Sequence, residues 1–480
     1  MNKILIALLI LLIQLFVDTS FGESKISKDV IEIVKKIEEI DVLMGSAVGY
    51  SGKRPAQYEN FVALRNSATT NELVELTNHK NAVVRCYSFW ALSYKENVDL
   101  FPIIINHISD EEEVKTQFGC IINMEKVGDF FIDIATPEYV DWNSNKLDSS
   151  QLKKLDNILI FSPNNLNATL EALRRAEPIE RIYERIRELA IKGKNQEAVV
   201  VLAKYQKEQD IKVILNNKDE TGKRENGLFF TYRAISYFPH QDFIPFLEKN
   251  LRDAMETSGW RNEYYELYNA IARYQNEDAK RLLEIPFREI KHDNSKTYHM
   301  SFIFLAIRSN KAEIYDHLLW RLWAEGNKIS LEVLDYLFSK NPSRANELIK
   351  TNLKNEEFTL NGFFDNEVVE RMLDLVMEED KAYGLEMIRI NINKADVHLF
   401  PVFAKKALEI KDESFVELLF KRLEKEWNQY INLEIIRALI AYDDKEINQR
   451  ILQAREKNEY LKKGSGGEVF DSLIEENNVK

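Results

Sequence analysis

The chain has 480 residues, of which 65 are Lys or Arg and 78 are Asp or Glu, for a net charge of −13 at neutral pH. An acidic balance of this size argues against nucleic acid as a ligand, because phosphate recognition needs a basic surface. The length admits several ordinary domains, yet no break in composition divides them.

From the N-terminus, residues 1–22 read as an export signal. Lys3 is a short basic start, Ile4 to Val17 is apolar except for Gln14, and Ser20-Phe21-Gly22 offers small residues at a cleavage site before Glu23. About 14 apolar residues fall short of the roughly 20 that span a bilayer. Lys3 and Asp18 cancel, so cleavage leaves the net charge at −13. The expected location is the periplasm or the medium, without stable membrane insertion. Residues 23–55 then hold a predicted helix, Asp29 to Met44, and a Gly-rich connecting loop, Gly45 to Pro55. Gly52-Lys53 fails the phosphate-loop pattern, since Arg54 stands where Ser or Thr is required and the upstream glycine is missing.

Beyond that loop a motif recurs. The segments starting at Trp90 and at Arg233 both run through Ala, Ser, Tyr, Asp and Pro in one register, with Ala91 matching Ala234 and Tyr94 matching Tyr237. Weaker copies follow around Tyr205, Tyr274, Ser309, Ile410 and Tyr442, and the step from Tyr205 to Tyr237 is 32 residues. Spacings near 35 residues signal stacked structural units. Within the best copy, Val83, Tyr87, Trp90, Ala91 and Tyr94 fall on one helical face, Asn97 and Asp99 form a turn, and Leu100, Ile103, Ile104 and His107 resume on a second helix. Ala91 and Ala234 let two helices approach closely.

Two stretches resemble the HEAT-repeat signature of a polar turn, Val-Arg and a small residue. One ends at Asn81-Ala82-Val83-Val84-Arg85; the other runs from Asp110 to Gly119, with Lys115 in place of Arg. The resemblance covers about residues 70–125. It implies an all-α fold, an α-solenoid of antiparallel helix pairs. The Asn-, Asp- and Ser-rich residues 137–152 and the turn cluster Ser162-Pro163-Asn164-Asn165 divide it into two expected lobes: HEAT-like repeats over 56–136, an interrupting loop over 137–163, a helical-repeat lobe over 164–460, and a linker and acidic tail over 461–480. Arg85 and Lys115 are expected to form an internal ladder to turn groups such as Asp110, and Tyr94 and Tyr237 to occupy equivalent buried sites.

Aligning Val84-Arg85 with Val114-Lys115 puts Cys120 one helical turn beyond Cys86 on the neighbouring helix, about 5.4 Å along and about 8–10 Å across. A disulfide needs Cα atoms within about 7 Å. Both cysteines are therefore expected as buried free thiols. The histidines form no helical pair or Cys/His cluster with metal-ligand spacing. No catalytic, cofactor-binding or metal residue is assigned, and no cofactor is expected. The resulting expectation is an exported, non-catalytic repeat protein that binds a protein partner along an extended groove, with Lys95 and Gln241 near one rim. The alternatives are an envelope enzyme, a carbohydrate-binding accessory protein, and an inhibitor or immunity protein.

Overall fold

The computed structural model describes residues 26–137, 141, 143–217, 227–256, 261–290, 293–354, 365–462, 464–477 and 479; residues 1–22, expected as an export signal, and the charged stretch 218–226 lie outside them. The fold is all-α in class, with helices packed on their neighbours in sequence and one three-stranded sheet among the described residues. It divides into two compact units, Met1–Phe238 and Pro239–Lys480. Among the described residues no helix is long and apolar enough to cross a membrane.

The first unit opens with α1 (Lys28–Ile40), whose buried Val30, Val34 and Ile37 fall at i, i+4 and i+7. Asp41 then takes a left-handed φ of 52° and ends the helix, so the predicted helix stops short of Met44. The stretch expected as a loop contains β1 (Leu43–Val48). Next come α2 (Ala56–Ser67), α3 (Thr70–Leu76) and α4 (Ala82–Leu92). Thr69 and Glu72 form a reciprocal capping box at the start of α3. Burial opposes the charge on Glu72, but donors from Ser27 and Thr69 hold its carboxyl down at about 2.

Every residue of α4 is buried, so the apolar stripe read from the sequence understates its role. It is the axis of the unit's core. Phe61 stacks against both Tyr87 and Trp90, with ring centroids at 5.2 and 4.4 Å. Phe89 stacks on Phe131 at 4.1 Å. Ala91 is fully buried, and so is Ala234 in the other anchor copy. Leucine at either position is expected to overpack the crossing and to cost about 1–3 kcal/mol in a denaturant titration.

After α5 (Phe101–Asn106) the chain forms β2 (Glu113–Gly119) and β3 (Ile121–Lys126), then α6 (Val127–Ala135). This corrects the second signature copy, expected as a turn leading into a helix. Val114, Thr116 and Phe118 alternate with charged or polar residues, and this period of two belongs to a strand. The interrupting segment also differs from a plain loop, because it contains α7 (Ser149–Phe161), capped by Asp148 and Gln151. The unit continues through α8 (Ala168–Arg175), α9 (Tyr183–Ile191), α10 (Gln196–Lys204), α11 (Ile211–Leu215) and α12 (Gly227–Tyr237).

The second unit comprises α13 (Ile244–Glu256), α14 (Glu263–Ala272), α15 (Glu277–Glu289), α16 (Asp293–Asn310), α17 (Asp316–Gly326), α18 (Leu331–Lys340), α19 (Pro342–Lys354), α20 (Asn366–Glu379), α21 (Lys381–Lys394), α22 (Phe400–Ile410), α23 (Ser414–Leu423), α24 (Gln429–Ile440), α25 (Lys445–Lys457) and α26 (Gly464–Glu476). The glycines read as a flexible linker therefore begin the last helix, which is held by buried Phe470.

The repeated tyrosines have a common task at the turns. Tyr205 donates its hydroxyl to the Ile179 carbonyl (2.9 Å), Tyr274 to that of His240 (2.7 Å) and Tyr442 to that of Asp412 (2.8 Å). The following residue, Gln206, Gln275 or Asp443, sits at a positive φ of 52°, 51° or 53° and turns the chain. Gln206 and Gln275 also donate their amides forward, to the carbonyls of Tyr237 (2.9 Å) and Asn310 (2.7 Å). Tyr237 departs from this pattern. It is 43% exposed, and Phe238, which precedes Pro239, a position that disfavours helical turns, does not take the positive φ found after the other tyrosines. Tyr94 is half-buried and donates to Asp141 at 2.6 Å. The expected equivalence of Tyr94 and Tyr237 in buried sites therefore does not hold.

Candidate interaction surface

The sheet replaces helices in the first unit, and its geometry follows from short-range causes. Gly119, at φ 59°, and Cys120 make the two-residue turn between β2 and β3, for which a left-handed first position suits the strand twist. β1 runs parallel to β2 and β3 antiparallel to it, in the order β1-β2-β3. One face carries Val114, Thr116 and Phe118 opposite Glu125, Asn123 and Ile121. Val114 and Thr116 are buried, so this face looks inward. The other face sets Lys115 opposite Met124 and Gln117 opposite Ile122.

The two edges of the sheet are treated differently. At β1, the Tyr87 hydroxyl accepts from Met44 N (2.7 Å) and donates to Met44 O (3.0 Å), standing in for a strand partner. Gly45 lies against Phe118, whose Cδ1 would be 2.7 Å from an added Cβ. β3 has no strand beyond it among the described residues. It also exposes Ile121 (71%), Ile122 (59%) and Met124 (52%). Gly49 N donates to Gly119 O at 2.9 Å, tying the fully exposed Tyr50 and the strand tip to one end of the sheet. A bare strand edge lined by large apolar side chains is a template for another strand.

The base of the hairpin is fastened by charge. Buried Arg85 on α4 donates to the His79 and Lys80 carbonyls (2.8 and 3.2 Å), to Asp110 Oδ1 (3.2 Å) and to Glu112 Oε2 (2.6 Å). Its Nε lies 2.9 Å from Asp110 Oδ2, too bent to count as a hydrogen bond. Burial raises the pKa of Asp110, but His107 and Arg85 hold it below its ordinary value. Lys115 forms no such ladder among the described residues and stands exposed on the outer face of β2.

A carboxyl cluster underlies the foot of β3. Burial, then the neighbouring charges of Asp133 and Asp129, push Glu125 up to about 8, and it shares a hydrogen bond with Asp133. Buried Asp129 accepts from Asn167 N (3.0 Å) and Ala168 N (2.9 Å) at the start of α8. Glu125 is therefore largely protonated at neutral pH.

The two cysteines are free, as expected, but only Cys86 is buried; Cys120 is exposed on the hairpin turn. Burial pushes the Cys86 thiol well up. Of the expected rim residues, Lys95 is engaged internally, donating to Arg65 O at 3.0 Å, whereas Gln241 is exposed in a short 3-10 turn. The sequence reading missed β3 altogether. Its signal was the alternation on β2 followed by Gly119 and an Ile-Ile pair. Among the described residues, no group of three His, Cys, Asp or Glu side chains is disposed to hold a metal ion. No family model, curated protein or solved structure matches this chain.

Proposed function

We propose that this chain is an exported, non-catalytic helical-repeat protein of HEAT-like architecture that binds a protein partner over an extended surface. The observation that carries the reading is the open outer edge of β3, with Ile121, Ile122 and Met124 exposed along it. An extended partner segment pairs its backbone with that edge, and its alternate side chains meet Ile122 and Met124 on the outer face. Stacked helices give such a site a rigid base without requiring an active-site pocket. Export rests on the basic and apolar start of residues 1–22.

The test is a photocross-linking residue placed at Ile122 and, as control, at Glu184 on α9, in cells expressing the full chain. A discrete partner is expected at position 122 alone. That adduct should disappear with Met124→Pro, which removes an outward-facing backbone donor from the pairing edge. Equal cross-linking at both positions would remove the reading. Mass analysis of the mature protein is expected to find Glu23 at the N-terminus, and retention of Ile4 to Val17 would replace export with anchoring.

A further inference from the structure

We infer that the second unit carries a binding site for a free apolar α-amino acid, at the turn where α16 passes into α17 beside α18. The part-open cleft there offers about 300 Å³, at the lower end of small-ligand pockets. Its apolar lining comes from Ile307, Leu319 and Val333, side chains otherwise withdrawn from solvent.

The charges on its rim are mostly spent on one another. Lys311 pairs with Glu332 at 2.6 Å, and Glu313 is taken by Lys340, also at 2.6 Å. Two groups of opposite sign are left over. Arg308 has no carboxylate within ion-pair distance among the described residues, although its field helps to lower the pKa of Glu332, after the hydrogen bond and charge of Lys311. Asp316 has no cation within ion-pair distance among the described residues; its oxygens accept the Tyr336 hydroxyl, at 2.9 and 3.0 Å. The complement of one free guanidinium, one free carboxylate and an apolar lining is a dipolar molecule with a hydrocarbon side chain. Its carboxylate goes to Arg308, its ammonium to Asp316, and its side chain into the cavity. A purely acidic ligand would meet Asp316 unpaired, and a purely basic one would meet Arg308.

This site is independent of the strand edge in the first unit, so either can fail alone. The experiment is calorimetric titration of the full chain with L-leucine, leucinamide, N-acetyl-L-leucine and N-acetyl-leucinamide. Leucine is expected to bind with a Kd below about 1 mM. Leucinamide and N-acetyl-L-leucine should each bind at least about tenfold more weakly. Arg308→Gln should abolish the preference for leucine over leucinamide while keeping that over N-acetyl-L-leucine, and Asp316→Asn should do the reverse. Melting curves without ligand establish that both variants fold. No heat from leucine, equal binding of the blocked compounds, or a variant that weakens all four ligands alike would overturn the assignment.

Discussion

Replacing Glu125 with Gln is expected to stabilise the first unit by about 3 kcal/mol at pH 7, since each unit of pKa displacement corresponds to about 1.36 kcal/mol. The direction follows from a carboxyl whose folded value, about 8, lies above its ordinary 4.5. The protonated form is favoured by folding. Its contribution is complete below the unfolded value and is lost as pH rises from about 4.5 to about 8. The natural protein should therefore lose stability steadily across that window, whereas the Gln variant, which keeps a donor for Asp133, should not. Hydrogen exchange of the β3 and α6 amides at pH 5, 7 and 9 measures this locally, which matters because a chain of two units need not unfold in one step. Parallel pH profiles for the two proteins would show that the carboxyl is not held protonated.

The second large effect is expected at Arg85. Methionine there is expected to cost about 3–5 kcal/mol, the usual consequence of removing one partner from a buried ion pair. Asp110 loses its buried cation, and the His79 and Lys80 carbonyls lose their donor. Lysine should recover little, because one ammonium cannot reproduce the planar fork that reaches two carbonyls and two carboxylates. Urea titration followed by Trp fluorescence checks it. A loss below about 1 kcal/mol would place Arg85 among surface charges.

Much of the architecture was legible because helices bury a face at a fixed period. Val83, Tyr87, Trp90 and Ala91 gave the helix, although not its burial on all sides, which depends on partners far off in sequence such as Phe61 and Phe131. The helix ends were harder. Gln206, Gln275, Lys311, Lys411 and Asp443 all take positive φ, and without glycine there they give no chain-ending signal. At Asp110 to Gly119 a plausible helical signature competed with strand alternation and prevailed in the reading. The structure follows the alternation, because Leu43 on β1 and α4 beneath offer a buried place to Val114 and Thr116. Lys115 and Cys120 were misplaced with it. The unmatched Arg308 and Asp316 could not be found from sequence at all, since what marks them is that their neighbours' charges are already paired in space.

The tyrosine and glutamine bonds along the turns also bear on how each unit deforms. The turns are stitched by directional bonds of 2.7 to 2.9 Å to backbone carbonyls, whereas the helix faces are also joined by ion pairs between long side chains, such as Arg371 with Asp335 and Lys405 with Glu370. Such a stack is elastically lopsided. Flexing that spreads the turns must break bonds anchored on backbone carbonyls, while part-exposed ion pairs such as Arg371 with Asp335 can lengthen through water, so the tyrosine turns set the stiffer direction of bending.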